Sequence, residues 1–452
     1  MRLRYGIAVI AAVVSLGAGQ ATRAETLADA LVHAYSHSGL LDQNRALLRA
    51  ADEDVAQAVA ATQPIVNWAA NASVSNPRAA GADLIEATIR ITAALTIYDA
   101  GASQLAVEAQ KELVLGTRQS LINVEQQVLF GAVQAYMNVR RDSEFLALRQ
   151  SNVRLITQEF RAAQDRFDVG EVTRTDVSLA EARLAAARSL LASAQGSLAR
   201  SQAEFKNAVG RKPNNLRAAN PAPVSRSLAN AVAFAHRNHP QMREAQHSVS
   251  AAELSIRRGQ AATKPTVTLN GEYGIDQNGN FGQRVGINAS GPIYAGGRLS
   301  SQVRQLMARR DQARAGLHLT KHGIEQQVAN AYSFLEVARA ARQAADQQIR
   351  AASVAFRGVR EEATLGTRTT LDVLNAEQEL LDARANAISA QADEVVASYS
   401  LLSAMGLLTA DHLNLPVQQY DPAAYYNLVK DAPSALSEQG QALDRVLQAI
   451  GK

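Results

Sequence analysis

The sequence predicts a mixed α + β membrane protein, built by internal duplication from long helical hairpins and pairs of amphipathic strands. Three observations predict it. Segments 196 residues apart repeat one another without a gap from 97 to 210. Two proline-free periodic stretches, 100–167 and 297–364, far exceed the helices of compact domains. Two strand pairs alternate apolar and polar residues over lengths that suit a membrane barrel.

The repeat is seen first in two octets, GEVTRTDV at 170–177 and GTRTTLDV at 366–373. Ile97-Tyr98 matches Ile293-Tyr294, Ala135-Tyr136 matches Ala331-Tyr332, Phe160-Arg161 matches Phe356-Arg357, and Gly210 matches Gly406. Over 170–195, 12 of 26 positions are identical, more than an alanine-rich composition gives by chance. The chain is a duplicated unit.

Residues 1–24 carry Arg2 and Arg4, an apolar run from Gly6 to Ala18, and small residues leading to Ala24. That pattern predicts a secretory signal peptide over 1–24. The run is shorter than the roughly 20 apolar residues of a spanning helix. Setting aside Arg2, Arg4 and Arg23 lowers the formal charge from +4 to +1. The basic balance is therefore no argument for a nucleic-acid partner, and no Lys/Arg cluster with interleaved aromatics argues for one. The chain has no cysteine, which fits export without disulfides and excludes a lipid-modified N-terminal Cys. No later run of 18 apolar residues occurs, so entry into a membrane must be by strands.

The first repeat covers 25–225. A helix over Glu25–Ala61 leads through Pro64 into a strand pair over 64–98. Val66, Trp68, Ala70, Ala72 and Val74 alternate with Asn67, Asn71, Ser73 and Ser75. Asn76 to Gly81 is a loop. Ile85, Ala87, Ile89, Ile91, Ala93, Leu95 and Ile97 then alternate with mostly polar residues. A hairpin over 100–210 follows, whose first helix of about 67 residues would be roughly 100 Å long. Gly170 ends that helix and Thr173 caps the next. Gly170, Thr173, Val177, Ala180, Leu184 and Ala187 recur at spacings of three and four, the seam of a helix packed on a helix.

The second repeat, 226–409, has the same order. A helix over Ser227–Ala262 leads through Pro265 into a strand pair over 265–294, turned at Asn278-Gly279. Val267, Leu269, Tyr273 and Ile275, then Val285, Ile287, Ala289 and Ile293, mark its apolar face. The hairpin over 297–406 bends at Gly366, with Thr369 as the cap. Residues 410–452 are expected to form an equatorial C-terminal tail. Trp68, Tyr98, Tyr273 and Tyr294 are candidate interfacial aromatics, with Tyr98 and Tyr294 ending the second strand of each pair.

Four strands cannot satisfy their edges in a lipid bilayer, so the barrel must close between copies. Two copies give eight strands and a filled interior; three give twelve and leave a lumen. Residue patterns alone leave both open.

These residues resemble the TolC family of trimeric outer-membrane channel-tunnels. The resemblance covers nearly all of the chain after the signal. It rests on AETLADAL, GPIYAGG, RFDVGEVTRTDV and TLGTRTTLDVLNAEQELLDAR together with the duplicated order. It implies a homotrimer with a twelve-stranded β-barrel in the cell outer membrane and a periplasmic α-helical barrel. It also implies docking through the hairpins of a periplasmic adaptor onto an inner-membrane transporter, as the exit duct of an efflux or type I secretion system. By position, Arg368, Asp176 and Thr175 resemble the family's periplasmic gate, and Asp372 a residue of its pore constriction. Ala363 stands where the archetype has a tyrosine, and Asn375 where it has a second ring carboxylate.

No cysteine nucleophile, Gly-x-Ser-x-Gly elbow or phosphate loop points to an enzyme; GRKPNN lacks the glycine spacing. His318 and His322 share a helix face without an evident third ligand, so neither a metal nor a cofactor is expected. The competing reading is a periplasmic adaptor or scaffold with helical hairpins, which would carry one hairpin within split lipoyl-like halves.

Overall fold

The computed structural model of the chain describes residues 24–74, 85–224 and 227–450. Most of the expected signal peptide, 1–23, and the expected loop at 76–81 lie outside them. Each repeat opens with two helices where one of about 36 residues was expected: α1 Leu27–His37 and α2 Gly39–Ala60, then α5 Leu228–Asn238 and α6 Pro240–Ala261. The breaks have local causes. Ser38 is extended and its hydroxyl accepts from the Leu41 N–H, starting a new helix. His239 precedes Pro240, whose ring drives the residue before it out of the helical region. The His239 imidazole Nδ1 then accepts from the Gln241 N–H as the cap of α6.

Strands β1 Ile65–Val74, β2 Ile85–Tyr98, β3 Thr266–Asp276 and β4 Phe281–Ser290 form one antiparallel sheet in the order β1-β2-β3-β4. The register puts apolar opposite apolar: Ala70, Ile89 and Ile275 share a row, as do Trp68, Ile91 and Tyr273. On the other face Asn67, Thr92, Glu272 and Arg284 form a polar row. Arg90 and Glu272 pair on that face at 3.2 Å. The apolar face is bare, with Val66, Trp68, Ile89, Val285 and Ile287 all exposed. β1 and β4 are the sheet's edges, each with one side unpaired within the chain.

An irregularity between Thr96 and Tyr98 sets Tyr98 opposite Val267. Strict alternation would have sent Tyr98 to the polar face; this one-residue slip brings it into an apolar row. β4 stops at Ser290, so Tyr294 lies beyond the strand that it was expected to end. Gly291 passes so close to Pro265 that a Cβ there would stand 2.9 Å from its Cα, and Pro292 lacks the N–H a ladder needs.

The long helices α3 Ala102–Asp168 and α7 Arg298–Thr364 have 67 residues each, roughly 100 Å at helical rise. They return as α4 Arg174–Val209 and α8 Thr370–Ala404. Where α1, α3, α4 and α8 meet, Leu31, Leu129, Tyr136, Phe205 and Leu408 are buried in the largest core. The short helices α9 Ala424–Val429 and α10 Glu438–Ile450 complete the chain, and Tyr425 and Val429 of α9 pack with Ala56 of α2. No described helix is long and apolar enough to cross a membrane.

Candidate functional site at the hairpin ends

The two bends share one construction. Gly170 and Gly366 are left-handed, at φ +82° and +77°. After them the Glu171 N–H donates to the Arg166 carbonyl at 2.9 Å, and the Thr367 N–H to the Glu362 carbonyl at 3.0 Å. These six-to-one bonds close the long helices in the glycine-terminated manner. Thr173 and Thr369 then cap the return helices in full capping boxes. The Asp176 carboxylate accepts from the Thr173 N–H and hydroxyl, and Asp372 does the same with Thr369. The Thr173 hydroxyl, then its N–H, holds the Asp176 carboxyl below the usual range; for Asp372 the Thr369 N–H leads.

Among the expected gate residues, Arg368 donates from Nε to Glu362 at 2.8 Å, on its own hairpin. Asp176 is engaged at Thr173, so the two are not brought together within one chain. Thr175 is exposed on the first turn of α4. Asn375 is exposed too, and its Oδ1 accepts from Arg183 of α4 at 3.3 Å. One residue before each glycine, Val169 and Leu365 stand at matching positions with 72% and 80% of their surface exposed.

Just inside the bends the two hairpins are joined. Leu374 of α8 is buried among Ile156 of α3 and Leu184 and Ala187 of α4. One turn on, the Glu377 carboxylate is 4% exposed. Its Oε1 accepts from Asn152 Nδ2 of α3 at 3.0 Å, while its Oε2 has no hydrogen-bond partner. Burial, then the nearby Glu159 carboxylate, pushes the Glu377 carboxyl up to about 7 against the pull of Asn152, Arg360 and Arg183. Arg360 of α7 faces Glu159 of α3 at 3.8 Å. A cavity of about 440 Å³ opens beside Glu377, lined also by Leu148, Phe356 and Leu380.

Sequence reasoning passed over Glu377 and Asn152. A signal was present: Glu377 lies between Val373-Leu374 and Leu380-Leu381, in the apolar phase of its helix. Its repeat equivalent, Glu181, is solvated, so the duplication alone does not distinguish the two glutamates.

At the sheet end, the expected aromatics do not form one girdle. Trp68 and Tyr273 share a row with Ile91, whereas Tyr98 lies seven residues further along β2, about 23 Å at strand rise. Tyr98 and Tyr294 stand by the helix junctions, and all four rings are exposed. His318 and His322 are exposed on α7; His322 lies 3.9 Å from Glu325, and the described residues hold no group of three metal-ligating side chains.

The model of the outer membrane efflux protein family matches residues 31–211 and 233–407, the two halves in turn. The chain is 37% identical over 424 residues to the outer membrane efflux protein BepC of Brucella suis, covering 91% of this chain and 92% of that one. It is 25% identical over 296 residues to the outer membrane protein TolC of Escherichia coli, covering 60% and 59%. The fold matches the outer membrane protein VceC of Vibrio cholerae at a TM-score of 0.73 and 21% identity, over 84% of this chain and 96% of that one. The bare sheet and the long hairpins are thus one chain's share of a β-barrel continued by a helical barrel. Duplicated order, matched halves and shared fold agree: the chain belongs to the outer membrane efflux protein family, the TolC-like channels of the outer membrane that extend into the periplasm.

Proposed function

We propose that three copies of this chain close a twelve-stranded barrel and form the exit duct of a tripartite efflux or type I secretion system. The observation that carries it is the sheet: two unpaired edges and an apolar face on which no residue is buried. Strand directions alternate, so β4 of one copy can pair antiparallel with β1 of the next, and lipid then covers the apolar face. Exposed Leu319, Phe334 and Val337 on one side of α7 support further contact between copies. Two repeats, 25–225 and 226–409, with 410–452 as an equatorial tail, describe the chain on this reading. Trp68 and Tyr273, with Tyr98 and Tyr294, serve as membrane-interface aromatics at two levels. The duct is passive and no enzyme.

Val169 and Leu365 receive the hairpins of a periplasmic adaptor, which links the duct to an inner-membrane transporter. At the narrow end, Arg368 of one hairpin bridges to Asp176 and Thr175 where copies converge, giving up Glu362. Solvent screens each such charge-assisted bond between groups this exposed, so its effect rests on repetition around the axis. Asp372 supplies a ring of carboxylates that favours cations, with Asn375 as its neutral neighbour.

The protein in detergent should have the mass of three copies by light scattering. In planar bilayers Arg368→Asp should raise single-channel conductance, and Asp372→Ala should weaken cation preference. A stable monomer that keeps its β signal would sink the shared barrel. Trimers in which Arg368→Asp conducts like the parent would reduce the octet to a bend.

A further inference from the structure

We propose that Glu377 and Asn152 form a proton-operated tie between the two hairpins, tight when Glu377 is protonated and loosened when it ionises. The geometry carries this. Glu377 sits in the seam between α8 and α3, above Leu374, with one oxygen bonded to Asn152 and the other without a partner. A buried carboxylate needs donors for both oxygens, and a single amide leaves the charged form undercompensated.

Three of the four arginines around it are engaged with other groups. From α3, Glu159 adds a second negative charge and pairs with Arg360 of α7. Arg183 of α4 is bonded to Asn375. Arg357 of α7 donates to the Ser353 carbonyl, and Arg384 of α8 lines the adjoining cavity. Among the described residues none of these cations forms an ion pair with Glu377.

The direction follows from the weakened acidity of the buried carboxyl. Glu377 titrates at about 7 in the closed seam against 4.5 when freed. A group raised in the packed state stabilises it fully below its free value. That stability is lost as pH rises through 7 and is constant above. Between pH 5 and 8 the balance between tight and parted seam shifts by up to about 70-fold toward parting. This tie acts on the duct only if the duct reading above holds, so its test has a readout independent of conduction.

The chain has no cysteine, so Ala187→Cys places a single thiol in the same cluster, at a position 4% exposed. Its maleimide alkylation rate is measured in trimers from pH 5 to 8, with and without Glu377→Gln. Dividing the two rates removes the thiol's own titration. The ratio should rise at least tenfold, with its midpoint near 7; a flat ratio overturns the tie. In bilayers, opening should increase over the same range, and Glu377→Gln should abolish the dependence. This pair needs no substitution in the apolar seam. An unchanged pH profile in Glu377→Gln channels overturns the tie as well. A rising thiol ratio without any conductance leaves the tie standing and sinks the duct.

Discussion

The Tyr136 hydroxyl lies 2.7 Å from the Arg217 carbonyl oxygen and 2.9 Å from that of Glu25, with no exposed surface. Its one proton holds together three parts of the chain that meet at mid-height. Glu25 also accepts from the Arg217 N–H, and its carboxylate from Arg211 at 2.7 Å and the Asn214 N–H at 3.2 Å. Burial pushes the Tyr136 phenol up to about 12, so it stays a donor throughout the physiological range. Tyr136→Phe leaves the Arg217 carbonyl as the group without its donor, because Glu25 keeps the Arg217 N–H. It should cost about 1–2 kcal/mol in thermal or denaturant unfolding. Tyr136→Ala also empties a packed ring site and should cost about 3–5 kcal/mol. The sequence marks Ala135-Tyr136 as part of the repeat, yet its equivalent Tyr332 is only half-buried. The difference arises because residues 25 and 217 converge on one tyrosine only, a long-range meeting that no periodicity encodes. The same holds at the tips. Thr-x-x-Asp spacing makes the capping boxes legible at Asp176 and Asp372, whereas Glu362 as the partner of Arg368 depends on how the turn folds back.

Four long helices end on left-handed glycines at matched positions, Gly170 with Gly366 and Gly210 with Gly406. Left-handed backbone costs an L side chain about 1–2 kcal/mol, so alanine at each should destabilise. The surroundings differ between tip and equator. A methyl at Gly170 or Gly366 enters open space. At Gly210 it would overlap the His37 ring, and at Gly406 it would stand 2.9 Å from Pro240 and 3.0 Å from His239. Gly210→Ala and Gly406→Ala should therefore lower the melting midpoint of the helical signal clearly more than Gly170→Ala and Gly366→Ala. Equal losses at all four would mean that the equatorial packing yields without cost. At this scale the sequence was legible where periodicity is long: strand faces, hairpins and bends follow from alternation and from the three-four seam. It was less so at the ends of elements. The break before α6 was missed although Pro240 marks it, and the break before α2 rests on Ser38 alone, a residue common within helices. The slip at Tyr98 and the early end of β4 depend on the neighbouring strand's register, which alternation within one strand does not contain.

Over the whole molecule, one end is a sheet without a core and the other a pair of bends with bare apolar tips. The sheet's two faces differ only by the phase of alternation, so substitution at adjacent positions tests which environment each meets. Ile89 lies between Ala70 and Ile275 on the apolar face and is 57% exposed. Thr88, its neighbour, lies between Asn71 and Asp276 on the polar face. In the proposed three-copy barrel Ile89 would meet lipid, where an arginine costs about 2–4 kcal/mol near the midplane. Three copies incur that cost together. Ile89→Arg should therefore sharply reduce the heat-resistant trimer recovered from outer membranes. Thr88→Arg places its guanidinium in a water-filled lumen beside the Asp276 carboxylate and should assemble normally. Fractionation of outer membranes and gel mobility of unheated samples measure both. Equal loss in the two variants would show that the faces are not lipid and lumen, and equal tolerance would show that neither face meets lipid.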